Sequence, residues 1–242
     1  MRELSELIEV EDPAWPVLVE EFSTAAVPVE VLPVAAEPAH ASLLQLQVTA
    51  QSWLGAVVLH SGGVLVDDGW IRVFGSPHPD DPRGHPGLAQ VNGFPWSFEP
   101  EWTPITGLVV AHDVLGGVFA VNGPGPAGAG RPGEPGEVVY FAPDSLRWEA
   151  LGAGYPAWLS WLLRGGSAEF YAGLRWSGWR ELTRTLHGTE GISVVPFLWS
   201  AEARQELVAA SHRPVPMREL LALGRDSGRR LDGRDPGFLG EL

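Results

Sequence analysis

VVYFAPDSLRWEALGAGYPAWLSWLL, from Val138 to Leu163, contains both of the periods from which a fold class can be read. Val138 to Phe141 and Arg147 to Leu151 flank the turn residues Pro143-Asp144-Ser145, which predicts an antiparallel hairpin. The period then changes. Tyr155, Trp158, Leu159 and Leu162 fall at i, i+3, i+4 and i+7, so a helix with one apolar stripe is expected to pack on the sheet just completed.

Upstream, Leu108 to Ala111 and Val118 to Val121 read as another antiparallel pair, joined through Asp113 to Gly117, where paired glycines suit a tight turn. Gly55 to His60 and Val64 to Val66 read as a hairpin about Ser61-Gly62-Gly63, continued by a third strand from Trp70 to Phe74. Val29 to Leu32, bracketed by prolines, is expected as an edge strand. Ala39 to Gln47 is expected as a short helix, and Asp12-Pro13 as the start of an amphipathic helix carrying Trp15, Leu18, Val19 and Phe22. Residues 75 to 104 show no sustained period and read as an irregular surface excursion. The run NGPGPAGAGRPGEPG, from Asn122 to Gly136, is too poor in side chains to bury anything and is expected to be flexible.

Downstream, Ser167 is the expected cap of a helix carrying Phe170 and Leu174, and Ser177 of one carrying Trp179, Leu182, Thr183 and Leu186. Ile192 to Leu198 returns to strand character. Met217 to Leu223 is a short helix, after which a frayed tail is expected. Strand pairs followed by a run of helices, without regular alternation, predict an α+β fold: a mainly antiparallel sheet packed by helices, with helical extensions at both ends. A single domain is expected over residues 1–224, its core at about 55–186, with 225–242 as a flexible tail.

The 242 residues, 45% of them apolar, suffice for a sizeable core. Absence of Cys excludes disulfides, thiolate metal sites and a thiol nucleophile. Sixteen basic residues, all Arg, against thirty acidic ones give a net charge of -14, which argues against nucleic acid and anionic membranes as ligands. The acidic start does not resemble a signal peptide, and no apolar run is long enough to cross a bilayer, so a cytoplasmic location is expected.

No P-loop, GxSxG elbow or HExxH motif is present. Gly123, Gly125 and Gly128 match GxGxxG after a strand, but the surrounding prolines leave no helix to receive a pyrophosphate, and no cofactor is expected. In the loop from Pro77 to His85, His78, Asp80 and His85 are donor types that a divalent metal accepts. No spacing sets a coordination geometry, so no metal is assigned to them. Asp67, Asp68, Asp113, Asp144 and Glu149 contain enough carboxylates for an acid/base pair, and His112 is a candidate base. Turn chemistry accounts for Asp144 and for Asp67-Asp68-Gly69 as simply. Among the indoles of Trp70, Trp96, Trp102, Trp148, Trp176 and Trp179, two groupings suggest recognition. Trp70 with Arg72 sits on alternate residues of one strand, and Arg175 adjoins Trp176; either can stack a planar or sugar ligand. The candidate ligand- or partner-binding set is Trp70, Arg72, Asp113, Asn122, Trp148, Arg175 and Trp176.

The ordered blocks LQVTAQSWLGA (Leu46 to Ala56), GGVLVDDGWIRVFGS (Gly62 to Ser76), HDVLGGVFAVNG (His112 to Gly123), APDSLRWEALGAGYPAWLSWLL (Ala142 to Leu163), FYAGLRWSGW and ISVVPFLWS together resemble bacterial domain-of-unknown-function family 2625, over about Val29 to Leu220. That family brings no activity or catalytic residues. The central portion also resembles the SUKH superfamily, many of whose members are immunity proteins that neutralise toxins. The resemblance implies a noncatalytic interaction protein with a protein partner, a basic toxin being the immunity-type case. A small-ligand or saccharide-binding module is the alternative, and an unrecognised hydrolase using Asp67, Asp113 or His112 the third reading. Oligomeric state stays open.

Overall fold

The computed structural model describes residues 1–104, 106–205, 210–231 and 233–242. Helices α1 (Leu4–Ile8) and α2 (Trp15–Ser23) precede β1 (Val29–Leu32), and α3 (Ala36–Leu46) and α4 (Trp53–His60) lead into the hairpin β2 (Gly63–Val66) and β3 (Ile71–Phe74). A short α5 (Leu88–Val91) lies in the long loop before β4 (Gly107–Asp113) and β5 (Val118–Asn122). After a 3-10 turn at Pro126–Ala129 come β6 (Glu137–Ala142), β7 (Arg147–Gly154), α6 (Tyr155–Leu163), α7 (Gly166–Phe170) and α8 (Trp179–Thr185). The chain continues through β8 (Glu190–Val195), α9 (Ala201–Gln205), β9 (Ser211–Pro216) and α10 (Met217–Leu231).

Strands β1 to β7 form one antiparallel sheet in chain order, and β8 pairs with β9 in a separate two-stranded ribbon, which makes the fold α+β. Tight turns join β2 to β3, β4 to β5 and β6 to β7, whereas α3 and α4, the long loop carrying α5 and the glycine/proline run separate the other neighbours, yet every strand still pairs with its predecessor in sequence. Strands β2, β3 and β4 are buried at every residue, so both faces of the sheet centre are covered and the strands read as apolar runs rather than alternating ones. Helix α6 starts with Pro156 in its first turn, where proline costs no hydrogen bond, and buries Tyr155, Trp158, Leu159 and Leu162 as the spacing predicts. It packs on β6 and β7. Each such fully buried large side chain contributes about 1.5–3 kcal/mol.

Register assigns the central polar residues to faces. Ile71 lies opposite Asp113, and Arg72 opposite His112. Directly paired residues share a face and consecutive ones alternate, so Asp113 points to one side of the sheet, and Arg72 and His112 to the other. The first side is closed by α6 and the segment around Tyr171. The second is closed by the residues between α8 and β8 and by the C-terminal segment.

Several local expectations are corrected. Trp53–His60 is a helix, not a strand: Ser52 Oγ accepts a hydrogen bond from Gly55 N at 3.0 Å, and a Cβ on Gly55 would come within 2.1 Å of Thr49 O. Helix α2 begins at Trp15, with Pro16 rather than Pro13 in its first turn. Ser167 and Ser177 cap nothing, because glycines in left-handed conformation, Gly165 and Gly178, occupy the N-cap positions. Helix α10 runs to Leu231 instead of ending at Leu223, and the segment beyond it returns to the body, where Leu239 is fully buried and Glu241 N donates to Val91 O. The glycine/proline run also contains a buried side chain, Arg131, whose guanidinium donates to Thr106 O and Phe238 O.

Candidate functional site

Among the described residues, the strand-end Asp113 is the buried carboxylate that accepts the most hydrogen bonds. Its Oδ1 accepts from Leu115 N at 2.8 Å and Gly117 N at 2.9 Å, closing the turn that the sequence HDVLGG predicts. Its Oδ2 accepts from the Tyr140 hydroxyl at 2.6 Å and the Tyr171 hydroxyl at 2.9 Å. A Cβ on Gly117 would lie 2.0 Å from this Oδ2, so glycine is required there by close approach. Burial pushes the Asp113 carboxyl above its ordinary range, against the pull of these four donors, and raises both tyrosines well above theirs. Tyr140 edges an open concavity of about 300 Å³ with Phe170 and Glu149, but Asp113 itself has no exposed surface.

The turn between β2 and β3 places two further carboxylates. Asp67 and Asp68 both take positive φ, 56° and 57°, a conformation Asp tolerates better than most residues with a Cβ. Asp67 is buried and accepts from the Ser167 hydroxyl at 2.9 Å and from Arg175 Nη2. Asp68 accepts from Arg180 Nε at 3.2 Å and Arg184 Nη2 at 2.7 Å. Arg175 in turn lies 5.0 Å over Trp70 and 4.4 Å over Trp179, in cation–π geometry.

Trp70 is therefore not a surface wall. It precedes β3, is fully buried and meets Tyr171, Trp176 and Trp179. Trp70 and Arg72, expected as one stacking face, are separated: the Arg72 guanidinium reaches His187 O, Gly188 O and Glu190 O from Nη1, at 3.2, 2.8 and 2.7 Å. Trp176 is half-buried and stacks on His212 with ring centroids 3.8 Å apart. Trp148 donates from Nε1 to Pro236 O at 2.9 Å beneath Arg131, and Asn122 donates to Pro132 O at 2.8 Å to brace the glycine/proline run. Both fasten chain segments.

Of the metal candidates, His78 lies 3.8 Å from Asp80 on the surface, whereas His85 bonds Asp81 at 2.7 Å in a buried pair. Among the described residues no three His, Asp or Glu side chains converge on a metal position. His112 is sealed, donating to Leu239 O at 3.1 Å, and burial lowers it to about 4.

One concavity gathers charge at an accessible surface. A cleft of about 280 Å³ opens between β1, the β2–β3 turn and the end of α8, with Arg72 in its lining. Arg83, bonded to Glu30, and Arg184, bonded to Asp68, line it too, with His85 and the apolar Val29, Leu65 and Leu186. Sequence reasoning found Arg72 but missed Arg83 and Arg184, and it missed Tyr140, Tyr171 and Arg131 in the interior. Arginines and tyrosines scattered along a chain give no spacing signal; only buried partners reveal them.

The sequence profile of a family described as "Protein of unknown function DUF2625" matches residues 4–220. The chain is 42% identical over 211 residues to "Putative uncharacterized protein YbfG" of Escherichia coli, covering 86% of this chain and 91% of the relative. It is 33% identical over 198 residues to an uncharacterized protein of Haemophilus influenzae, covering 82% of this chain and 83% of the other. No solved structure matches. Among the described residues no helix is long and apolar enough to cross a membrane.

Proposed function

Since the chain belongs to this family of unknown function, its relatives carry no activity to transfer, and we propose from the geometry that it is a noncatalytic binding module. The supporting observation is a division of labour between charges. Asp113, His112 and Asp67, three of the acid/base candidates, are buried and hold other chain segments. Asp68 is ion-paired with Arg180 and Arg184, while Asp144 and Glu149 line the concavity edged by Tyr140, where Glu149 accepts from Ser145. In the Arg72 cleft, Arg83 and Arg184 pair with Glu30 and Asp68. A hydrolytic site needs a base within reach of substrate. A recognition site needs shape and oriented donors.

A protein partner is the first reading. The net charge of -14 supports attraction to a basic protein, including a basic toxin of the kind that SUKH-type immunity proteins neutralise. Affinity purification from source cells, repeated across a salt series, tests it: a basic partner retained at low salt and released as salt rises is the expected result. Hydrolysis of a substrate panel that disappears in Asp113→Asn would replace the binding reading with a catalytic one. A small ligand is the second reading, favoured by the concave volume beside Arg72.

A further inference from the structure

We propose that the Arg72 cleft binds a small metabolite through a carboxylate or phosphate group docked on the free edge of the Arg72 guanidinium. The proposal rests on the binding-module reading, in its small-ligand form.

Arginine carries five N–H donors in a rigid planar fork. In Arg72, Nη1 is committed to three backbone carbonyls between α8 and β8, which hold the guanidinium in place. Nε and Nη2 make no hydrogen bond to a described residue. Arg72 is 6% exposed and lines the cleft. Among the described residues no carboxylate forms an ion pair with it; Glu190 acts on it electrostatically without a direct pair, whereas Arg83, His85, Arg175 and Arg184 each bond a carboxylate. Burial lowers Arg72 to about 10, which leaves it charged at neutral pH.

A buried cation without a directly paired carboxylate is costly, and the carbonyl oxygens and the field of Glu190 offset only part of that cost. Two parallel N–H donors on one guanidinium edge match two oxygens of a carboxylate or phosphate. The rim reinforces the sign of the site. Arg72, Arg83 and Arg184 face two lining carboxylates, Glu30 and Asp68, and burial lowers the His85 pKa, favouring its neutral form. The lining thus holds one more cation than carboxylate, on a chain of net charge -14. Its volume of about 280 Å³ lies at the small end of ligand sites, which suits a short organic acid or phosphate ester, and Val29, Leu65 and Leu186 supply an apolar wall for the carbon skeleton.

The test is NMR of the arginine Nε–Hε resonances in the full chain at fixed ionic strength, with inorganic phosphate, succinate and chloride as titrants. Saturable movement of the Arg72 resonance with phosphate or succinate, and not with chloride, is the expected result. Which of the two saturates at lower concentration separates a phosphate from a carboxylate ligand. Val29→Trp fills the cleft while leaving the three carbonyl bonds of Arg72 in place, and should raise Kd at least about tenfold. Arg72→Lys, which keeps the charge but loses the fork and is followed on the Arg83 and Arg184 Nε–Hε resonances because its own signal is removed, should do likewise. Saturation by all three anions, by none of them, or with an affinity indifferent to Val29→Trp overturns the proposal. Failure of the wider reading looks different: turnover of an ester by the protein would end the noncatalytic assignment even with the anion site intact.

Discussion

Asp113 and Arg72 are both interior charges on adjacent strands, and they differ in how fully each is satisfied. Asp113 receives four hydrogen bonds, two on each oxygen, and nothing is left for a ligand to supply. Arg72 is hydrogen-bonded to described residues through one nitrogen and lines a cleft. The difference teaches that burial and charge alone do not single out a candidate site; unfilled hydrogen-bonding capacity beside open volume is what distinguishes Arg72 from Asp113.

Asp113→Ala should break the contrast most severely. It strands two tyrosine hydroxyls and two backbone N–H groups, and a loss of about 3–5 kcal/mol is expected in urea unfolding. A loss below about 1 kcal/mol would show that the network is dispensable.

Acid should act through the opposite face of the sheet. His112 has its folded pKa depressed from 6.5 to about 4, so its contribution is fully present above pH 6.5 and is lost as pH falls toward 4. That window corresponds to about 3 kcal/mol, and His112→Gln should flatten the stability-versus-pH curve across it. Asp113 runs the other way: its raised pKa favours the fold in the protonated form, an advantage that fades as pH rises through the carboxylate range.

Trp148→Phe removes the single bond to Pro236 O and should cost about 1 kcal/mol. Faster amide exchange at Glu241, which the C-terminal segment bonds to Val91, would localise that loss. The smallest effect belongs to Arg180→Gln. Asp68 keeps Arg184, and an exposed ion pair contributes less than about 1 kcal/mol, so thermal unfolding should hardly move.

Legibility followed the range of the interactions. The Val138 to Leu163 hairpin and helix were readable because turn residues and the i, i+3, i+4 stripe lie within a few positions of one another. Trp53–His60 was misread because a short apolar run buried on nearly all sides has no period to distinguish helix from strand. At the site, the residue types were visible and the roles were not. Asp113 meets Tyr140 across 27 positions and Tyr171 across 58, and Arg72 meets its carbonyls more than a hundred positions away.

The linear order of residues was enough for the α+β class, the β4–β5 and β6–β7 hairpins, the absence of thiol chemistry and the acidic character, because propensity, periodicity and composition are local or additive properties. Which charges are closed and which remain open required the folded chain. Hydrogen-bond satisfaction depends on what the sheet register, the α8–β8 connection and the C-terminal segment bring within 3 Å, and no local pattern encodes those distances.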